Sequence, residues 1–399
     1  MLNRKHKDFL SVIVTYISAF ITFLLLIGIT GYVFLNGLKL LDFKLFTNPY
    51  QSITHIADLP SSNTDGFFER PSNMDQDMFY SEKWGIGLKD KPNLLGKNTV
   101  VVVYIHEDSS LLDMNDKGIL NQRLAVKLND ELVRIAFDDK PSALSIQGAQ
   151  HMTDVFDNSD TFRELEFQTP GGGIRGSLIT TLYLIGLTLL FSLPIGIGTA
   201  IYLNEFAKQS KMTKILRSFI ETLTGVPSII YGLLGLALFV PMTMAISKAT
   251  GPNLISGALT LTVILLPVII RTTEESLKVI PNELRSGSLA LGANKTQTIF
   301  KIVLPNAYTG ILTAVLLSIG RIIGESAALI FAVGTTIKDD ISIFDKSTSL
   351  SVHIYALMSD EPANIELATT IAFIILVLVL ALNISIKYVA HRFKKRMGV

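Results

Sequence analysis

Stretches of roughly twenty mostly apolar residues recur along this chain and bound what it can fold into. They fall near 9–35, 177–203, 218–246, 254–270, 308–334 and 367–388. A helix needs about 20 such residues to cross the hydrocarbon core of a bilayer. Backbone exposed to lipid has to satisfy its polar groups internally, which favours helices. Composition agrees, with 49% hydrophobic and 17% charged residues, against about 25% charged in soluble domains. The expected fold class is an all-α polytopic membrane protein with six transmembrane helices. The apolar run at 9–35 exceeds the ~7–15 residues of a signal-peptide core and has no A-x-A site after it, so it reads as a retained first span.

Charge assigns the sides. Arg4, Lys5 and Lys7 precede the first window, Lys208, Lys211, Lys214 and Arg217 lie in 204–217, and Lys387, Arg392, Lys394, Lys395 and Arg396 follow the last window. With six spans all three clusters share one side, and basic loops mark the cytoplasm. The N-terminal 1–8, the loop 271–307 and the tail 390–399 are therefore expected inside. The segment 336–366, with Asp339, Asp340, Asp345, Asp360, Glu361 and Glu366 against two lysines, is expected outside. The chain has no cysteine, which excludes disulfides and thiolate chemistry. His6, His55, His106, His151, His353 and His391 are scattered without an H-E-x-x-H pair, and no metal site is expected.

Residues 36–175 differ from the rest, holding 21 of the 34 acidic residues but 14 of the 35 basic ones. The run 98–106 (NTVVVVYIH) predicts a buried strand. The alternating stretch 123–137 predicts a β-hairpin about Asn129–Asp130. Residues 48–80, with Pro60, Pro71 and many Asp, Asn and Ser, predict loop. Together they suggest an extracytoplasmic β-containing insertion, either a docking surface for an external partner or an insertion without a specific task. Gly171–Gly173 reads as a flexible turn into the next span rather than as an anion-binding nest.

The polar segment 281–305 (PNELRSGSLALGANKTQTIFKIVLP) stands between two apolar windows. Pro281 suits a first helical turn, Glu283 complements the helix dipole there, and Gly292 is placed to end the helix. Leu284, Leu289, Ala290 and Leu291 supply an apolar side, and a second helical piece returns to the membrane. Periodicity alone favours an ordinary amphipathic interfacial loop. Residue identity points further. Ser286-Gly287-Ser288, Gly292, Ile302, Leu304 and Pro305 match the spacing of the EAA loop of ABC-transporter permeases, with Ser286 where that family carries Glu.

Thr224–Gly235 (TGVPSIIYGLLG), Leu266–Glu275 (LPVIIRTTEE) and Gly320–Leu329 (GRIIGESAAL) narrow the match. Over roughly 176–390 the chain resembles permease subunits of the phosphate-specific ABC importers, the PstA type more than the paralogous PstC type. The resemblance implies a five-helix permease domain at 176–389 in a bacterial inner membrane. It also implies a second permease subunit, an ATPase dimer that carries ATP and Mg beneath, and a phosphate-binding protein outside. In that scheme Glu283, Ser286, Gly287, Ser288, Gly292, Ile302, Leu304 and Pro305 serve ATPase coupling. The chain lacks a G-x-x-x-x-G-K-[ST] loop, so no bound cofactor and no ATP hydrolysis of its own are expected.

Arg321 and Glu325 stand inside an otherwise apolar window. At 1.5 Å per residue Arg321 lies about 20 Å beyond Ala307, a depth at which charged groups usually face a cavity or a partner. A spacing of four puts both on one helical face, able to pair. They are the candidate substrate pathway, with Arg321 meeting the anion and Glu325 restraining it; a structural ion pair to another span is the alternative. Glu205 and Glu221 read as interfacial residues. Pro194, Pro227 and Pro267 are expected to kink spans, and Gly225, Gly232 and Gly235 to form a small-residue packing face. Competing functions are a PstC-type permease, a sulfate or molybdate permease, and a membrane receptor sensing through 36–175.

Overall fold

The computed structural model describes residues 4–59, 67–71, 77–92, 98–118, 122–359 and 363–396. Pro60, Asp360 and Glu361 lie outside the described residues, as do the side chains of Arg4, Lys5, Lys7, Lys394, Lys395 and Arg396. The chain divides into a helical unit, Met1–Leu41 with Gly176–Val399, and a second unit, Asp42–Arg175.

The helical unit opens with α1 (Arg4–Gly37). The second unit then holds α2 (Lys44–Thr47) and the strands β1 (Ile53–Asp58), β2 (Phe79–Ser81), β3 (Ile86–Pro92), β4 (Asn98–Ile105), β5 (Met114–Asp116), β6 (Arg123–Leu124), β7 (Glu131–Ala136) and β8 (Ala143–Leu144). It closes with α3 (Ala149–Asp157) and β9 (Glu164–Thr169). The strands form one antiparallel sheet in the order β2-β3-β4-β7-β9-β1-β5-β6, with β8 also on β7. The β-branched run of the predicted strand is β4, with Val100, Val101 and Val102 buried. Trp84 anchors the core: its indole N–H donates to the Phe156 carbonyl at 2.9 Å, and its ring meets Phe162 at 5.1 Å between centroids.

Two expectations fail here. The stretch 123–137 is not a hairpin, because β6 pairs with β5 while β7 pairs with β4, β8 and β9. A turn separates the arms, with Asn129 at φ 74° and the Lys127 N–H donating to the Asp130 carboxylate at 2.8 Å. Residues 48–80 are not all loop either. β1 lies inside the sheet between β9 and β5, its polar sequence ITHIAD hiding a strand that pairs with partners far along the chain.

The Gly171–Gly173 run is likewise no flexible turn. Gly172 N–H donates to Tyr50 O at 2.8 Å, Gly173 N–H to Pro49 O at 3.0 Å and Ile174 N–H to Leu45 O at 2.8 Å. The outgoing chain thereby crosses the incoming one so closely that a Cβ on Gly171 would sit 2.5 Å from Tyr50 O, and one on Gly173 would collide with Asn48 O. Gly172, at φ +89°, takes a left-handed conformation that suits glycine. Leu45 and Ile174 are fully buried at this neck.

The helical unit continues with α4 (Arg175–Ile201), α5 (Lys211–Thr224), α6 (Ser228–Leu234), α7 (Val240–Ile246) and α8 (Leu254–Lys278). After it come α9 (Asn282–Ala290), α10 (Lys295–Thr298), α11 (Leu304–Asn306), α12 (Tyr308–Gly324), α13 (Ala327–Ala332), α14 (Leu350–Ser359) and α15 (Ile365–Arg396). Wide π turns follow α4 at Tyr202–Phe206, join α6 to α7 at Gly235–Phe239, and join α10 to α11 at Ile299–Val303. Among the described residues five helical stretches are long and apolar enough to cross a membrane, and α10–α11 with α12 make a further, bent one. The chain is a multi-pass membrane protein.

Windows and helices differ at their breaks. The window 218–246 is interrupted at Gly225–Pro227, with Pro227 preceding α6 rather than lying within a helix. Pro194 and Pro267 are internal to α4 and α8. The window 308–334 stops being helical at Glu325 and resumes as α13. The short window 254–270 continues as helix to Lys278, so the loop expected from 271 begins two turns later. Close helix crossings use small residues: a Cβ on Gly232 would lie 2.8 Å from Ala328 Cα, and Gly235 fits against Thr260 and Ala332. Gly225 takes no part, since a Cβ there would meet only Thr222 O, at 3.6 Å.

Candidate functional site

The segment 281–305 forms two limbs. Pro281 is the N-cap of α9, one residue ahead of the expected first turn, and Glu283 stands in that turn. The helix ends as its sequence dictates: Gly292 at φ +87° lets its own N–H reach Leu289 O at 3.0 Å, while Ala293 N–H reaches Ser288 O at 3.2 Å. This is the paired-bond termination that glycine permits. Asn294 restarts the chain as a cap, its side chain accepting from Gln297 N at 2.8 Å while Gln297 Oε1 accepts from Asn294 N at 2.9 Å. Ser288 and Thr298 hydroxyls tie the limbs at 3.0 Å.

The limbs have different tasks. Ile299 and Val303 are buried with Ile201, Leu277 and Ala307, with Leu304 packed alongside, and this anchors the second limb. Ile302 and Pro305 are half-buried. On the first limb Glu283, Ser286, Gly287 and Gly292 are exposed, Ser288 half-buried, and Leu284, Leu289 and Leu291 exposed, Leu291 at 91%. The helix axis then turns by 64° into α12. An anchored limb thus carries a free one that presents leucines and a carboxylate.

Arg321 occupies the last turn of α12 and is exposed. Among the described residues no carboxylate forms an ion pair with it. The expected pairing with Glu325 is corrected by the break: the helix ends at Gly324, and Glu325 is extended at φ −79°, ψ 123°. Its buried carboxylate accepts instead from Ala328 N–H at 3.3 Å, at the start of α13. Ser351 Oγ donates to its carbonyl at 2.6 Å. Glu325 is built into the break, and Arg321 is left as an accessible fork of donors.

Sequence reasoning missed a set of charges at the ends of α4, α5 and α8. Glu274 is buried and accepts from Arg217 Nη1 and from Lys278 at 2.9 Å. Arg217 Nη2 also donates to Leu203 O at 2.9 Å. Glu205, expected to be merely interfacial, pairs with Arg285 at 2.9 Å, the side chains 8% and 18% exposed. Arg285 further donates to Leu277 O at 2.9 Å and Ile280 O at 2.6 Å. Glu221 is exposed. It borders an open cleft of about 630 Å³ with Arg217, Arg271, Glu274, Glu275 and Lys278. Three cations against three carboxylates leave that cleft no net attraction for an anion. Only the i,i+4 pairs Glu274–Lys278 and Arg271–Glu275 carried a local signal. No group of three or more His, Cys, Asp or Glu suited to a metal occurs among the described residues.

Residues 192–397 match the family of binding-protein-dependent transport system inner membrane components. The chain is 32% identical over 242 residues to the probable ABC transporter permease protein YqgI of Bacillus subtilis, covering 57% of this chain and 81% of that protein. It is 33% identical over 226 residues to the phosphate transport system permease protein PstA 1 of Mycobacterium tuberculosis, covering 55% and 72%. Against PstA of Pasteurella multocida it is 35% identical over 228 residues, covering 54% and 77%. A chain of the methionine ABC transporter MetNI, solved in inward-facing conformations, aligns at a TM-score of 0.44 and 20% identity over 55% of this chain and 95% of that one. The chain belongs to the binding-protein-dependent transport family and is a permease subunit of an ABC importer, not an enzyme. The sheet-bearing unit lies outside the matched range.

Proposed function

From this membership we propose that the chain forms one half of the pore of an ATP-driven importer of inorganic phosphate. Its partners are a PstC-like second permease, a PstB-like ATPase dimer that holds ATP and Mg, and a PstS-like binding protein outside. The chain crosses the bacterial inner membrane six times with both termini cytoplasmic, α10–α12 counting as one bent crossing. The unit Asp42–Arg175 then stands outside. The names of the PstA relatives and the basic clusters beside the first, second and last spans support this reading.

The observation that carries the substrate side is Arg321: a guanidinium at the end of an apolar helix, exposed and without an ion pair among the described residues. A charge there is costly unless it faces a cavity or partner, and its planar fork suits the oxygens of a tetrahedral anion. On the cytoplasmic side, the free limb of 281–305 offers Glu283, Ser286, Gly287, Ser288 and the exposed leucines to the ATPase. Gly292, Ile302, Leu304 and Pro305 shape and anchor that limb. Closure of the ATPase dimer around ATP pushes the hairpin and turns the pore toward the other face.

The test is uptake by the assembled complex in liposomes, with phosphate, sulfate and molybdate compared. Phosphate uptake should require ATP and exceed the other two, and Arg321→Lys should lower it while the subunits still co-purify. A preference for sulfate or molybdate would replace the substrate named here. Unchanged phosphate uptake by Arg321→Lys would remove that residue from the pathway.

A further inference from the structure

We propose that the π turn Tyr202–Phe206 is the coupling joint of this subunit, clamped so that α4, the end of α8 and the 281–305 hairpin move as one rigid body. This rests on the reading of the hairpin as the handle of an ATPase. The turn is gripped from three elements. Arg217 of α5 donates to Leu203 O at 2.9 Å, Arg285 of α9 pairs with Glu205 at 2.9 Å, and Lys295 of α10 lies 5.1 Å from the centroid of the Phe206 ring.

The wide turn makes the first grip possible. In an α-helix Ala207 N–H would bond Leu203 O. Here it bonds Tyr202 O at 2.8 Å, which releases the Leu203 carbonyl to Arg217. Such bulges concentrate at functional sites. The second grip fastens two helix ends at once. The last carbonyls of a helix lack intrahelical partners, and Arg285 takes Leu277 O and Ile280 O at the end of α8 while holding Glu205. Asn204 Nδ2 adds a bond to the same carboxylate oxygen at 2.9 Å.

Burial makes the clamp permanent. Opening it would strand a carboxylate and a guanidinium with little access to water, the costly way to break an ion pair. Beneath it Ile201 packs with Leu277, Ile299 and Val303, so the apolar contacts join the same three elements. A push on α9 therefore reaches α4 directly, not only through the chain connection into α12. Glu205 and Arg285 are positioning residues, acting on the spans through the turn they hold.

The chain has no cysteine, so Lys208→Cys with Lys301→Cys can carry a pair of spin labels in the assembled complex. Their distance should stay constant to within about 2 Å between nucleotide-free and ATP-trapped states. A displacement beyond about 5 Å, one helical turn, would overturn the rigid joint. This measurement needs no transported anion, so it decides the joint even where uptake refutes phosphate as the substrate. A functional cycle complements it: Glu205→Ala, Arg285→Ala and the double variant, scored as phosphate taken up per ATP hydrolysed. Each single variant should lower that ratio by about tenfold or more while ATP hydrolysis persists, and the double should be no worse than the worse single. Parental coupling in the singles, or losses that multiply, would overturn the proposal. Where an alanine variant fails to assemble, Glu205→Gln and Arg285→Lys provide the same comparison.

Discussion

Replacing Gly173 by alanine puts one methyl group into the tightest crossing of the second unit. The added Cβ would collide with the Asn48 carbonyl oxygen, and that obstacle is backbone rather than a side chain that can turn away. The two chains must part by about 1 Å or more to restore van der Waals contact. Parting weakens the Gly173–Pro49 and Ile174–Leu45 hydrogen bonds, at about 0.5–1.5 kcal/mol each. It also partly uncovers Leu45 and Ile174, both fully buried, each worth about 1.5–3 kcal/mol when wholly transferred to water. A net loss of roughly 2–4 kcal/mol follows, a large share of the ~5–15 kcal/mol that holds a typical domain. For a unit of this size that is a fall of about 6–20 °C in melting temperature. Trp84 is the single tryptophan of the chain and is 1% exposed in this unit's core. Its emission in the full-length purified protein therefore reports this unfolding step alone. A Trp84 midpoint within about 1 °C of the parent would refute the argument, because no collision could then exist.

Other substitutions have different expected outcomes. Gly287 is interior to α9, and a Cβ added there would meet nothing within 4 Å. It should accept Ala with a gain of about 1 kcal/mol in helix stability, read in helical thermal melts; the Trp84 midpoint should not move. Glu274→Ala leaves Arg217 and Lys278 without their shared carboxylate. Arg217 is 34% exposed and partly screened, so a loss nearer 1–3 kcal/mol than the full buried-pair cost is expected in helical thermal melts of the complex. Asp130 is 3% exposed, and burial raises its pKa above the ordinary carboxylate value. The folded unit thus holds that proton more tightly than the unfolded chain, a contribution complete below the unfolded pKa and lost as pH rises through the folded one. Asp130→Asn should flatten the dependence of the Trp84 melt as pH rises above the ordinary carboxylate range, about pH 4, relative to the parent; an unchanged slope would assign it to other groups.

The membrane character was legible because a long apolar run leaves the backbone few solutions. The hairpin was legible because its boundaries are chemical: Gly292 can adopt the positive φ that stops α9, and the Leu304–Pro305 pair marks the return toward α12. The breaks at Gly225–Pro227 and Gly324–Ser326 escaped because hydropathy sums composition and stays high through both. The residues Gly225 and Pro227 did carry a local signal. Glu325 was misplaced for the same reason, since spacing of four means a shared face only while the helix continues. The joint was invisible because its partners are distant in sequence, 80 residues apart in Arg285–Glu205 and 14 in Arg217–Leu203. In the second unit β1 and β9 pair across more than a hundred residues of sequence, with Ile53 opposite Thr169. Local alternation cannot reveal such a partner, and it suggested a false one at 123–137.

The neck of the sheet-bearing unit also bears on how such a protein can arise. Incoming and outgoing chains fastened to each other at Leu45–Tyr50 and Gly172–Ile174 make the intervening stretch a cassette with a single doorway. Gain or loss of such a cassette in the genome asks little of the flanking helices. The family match agrees with that independence, since it covers residues 192–397 and leaves the cassette outside.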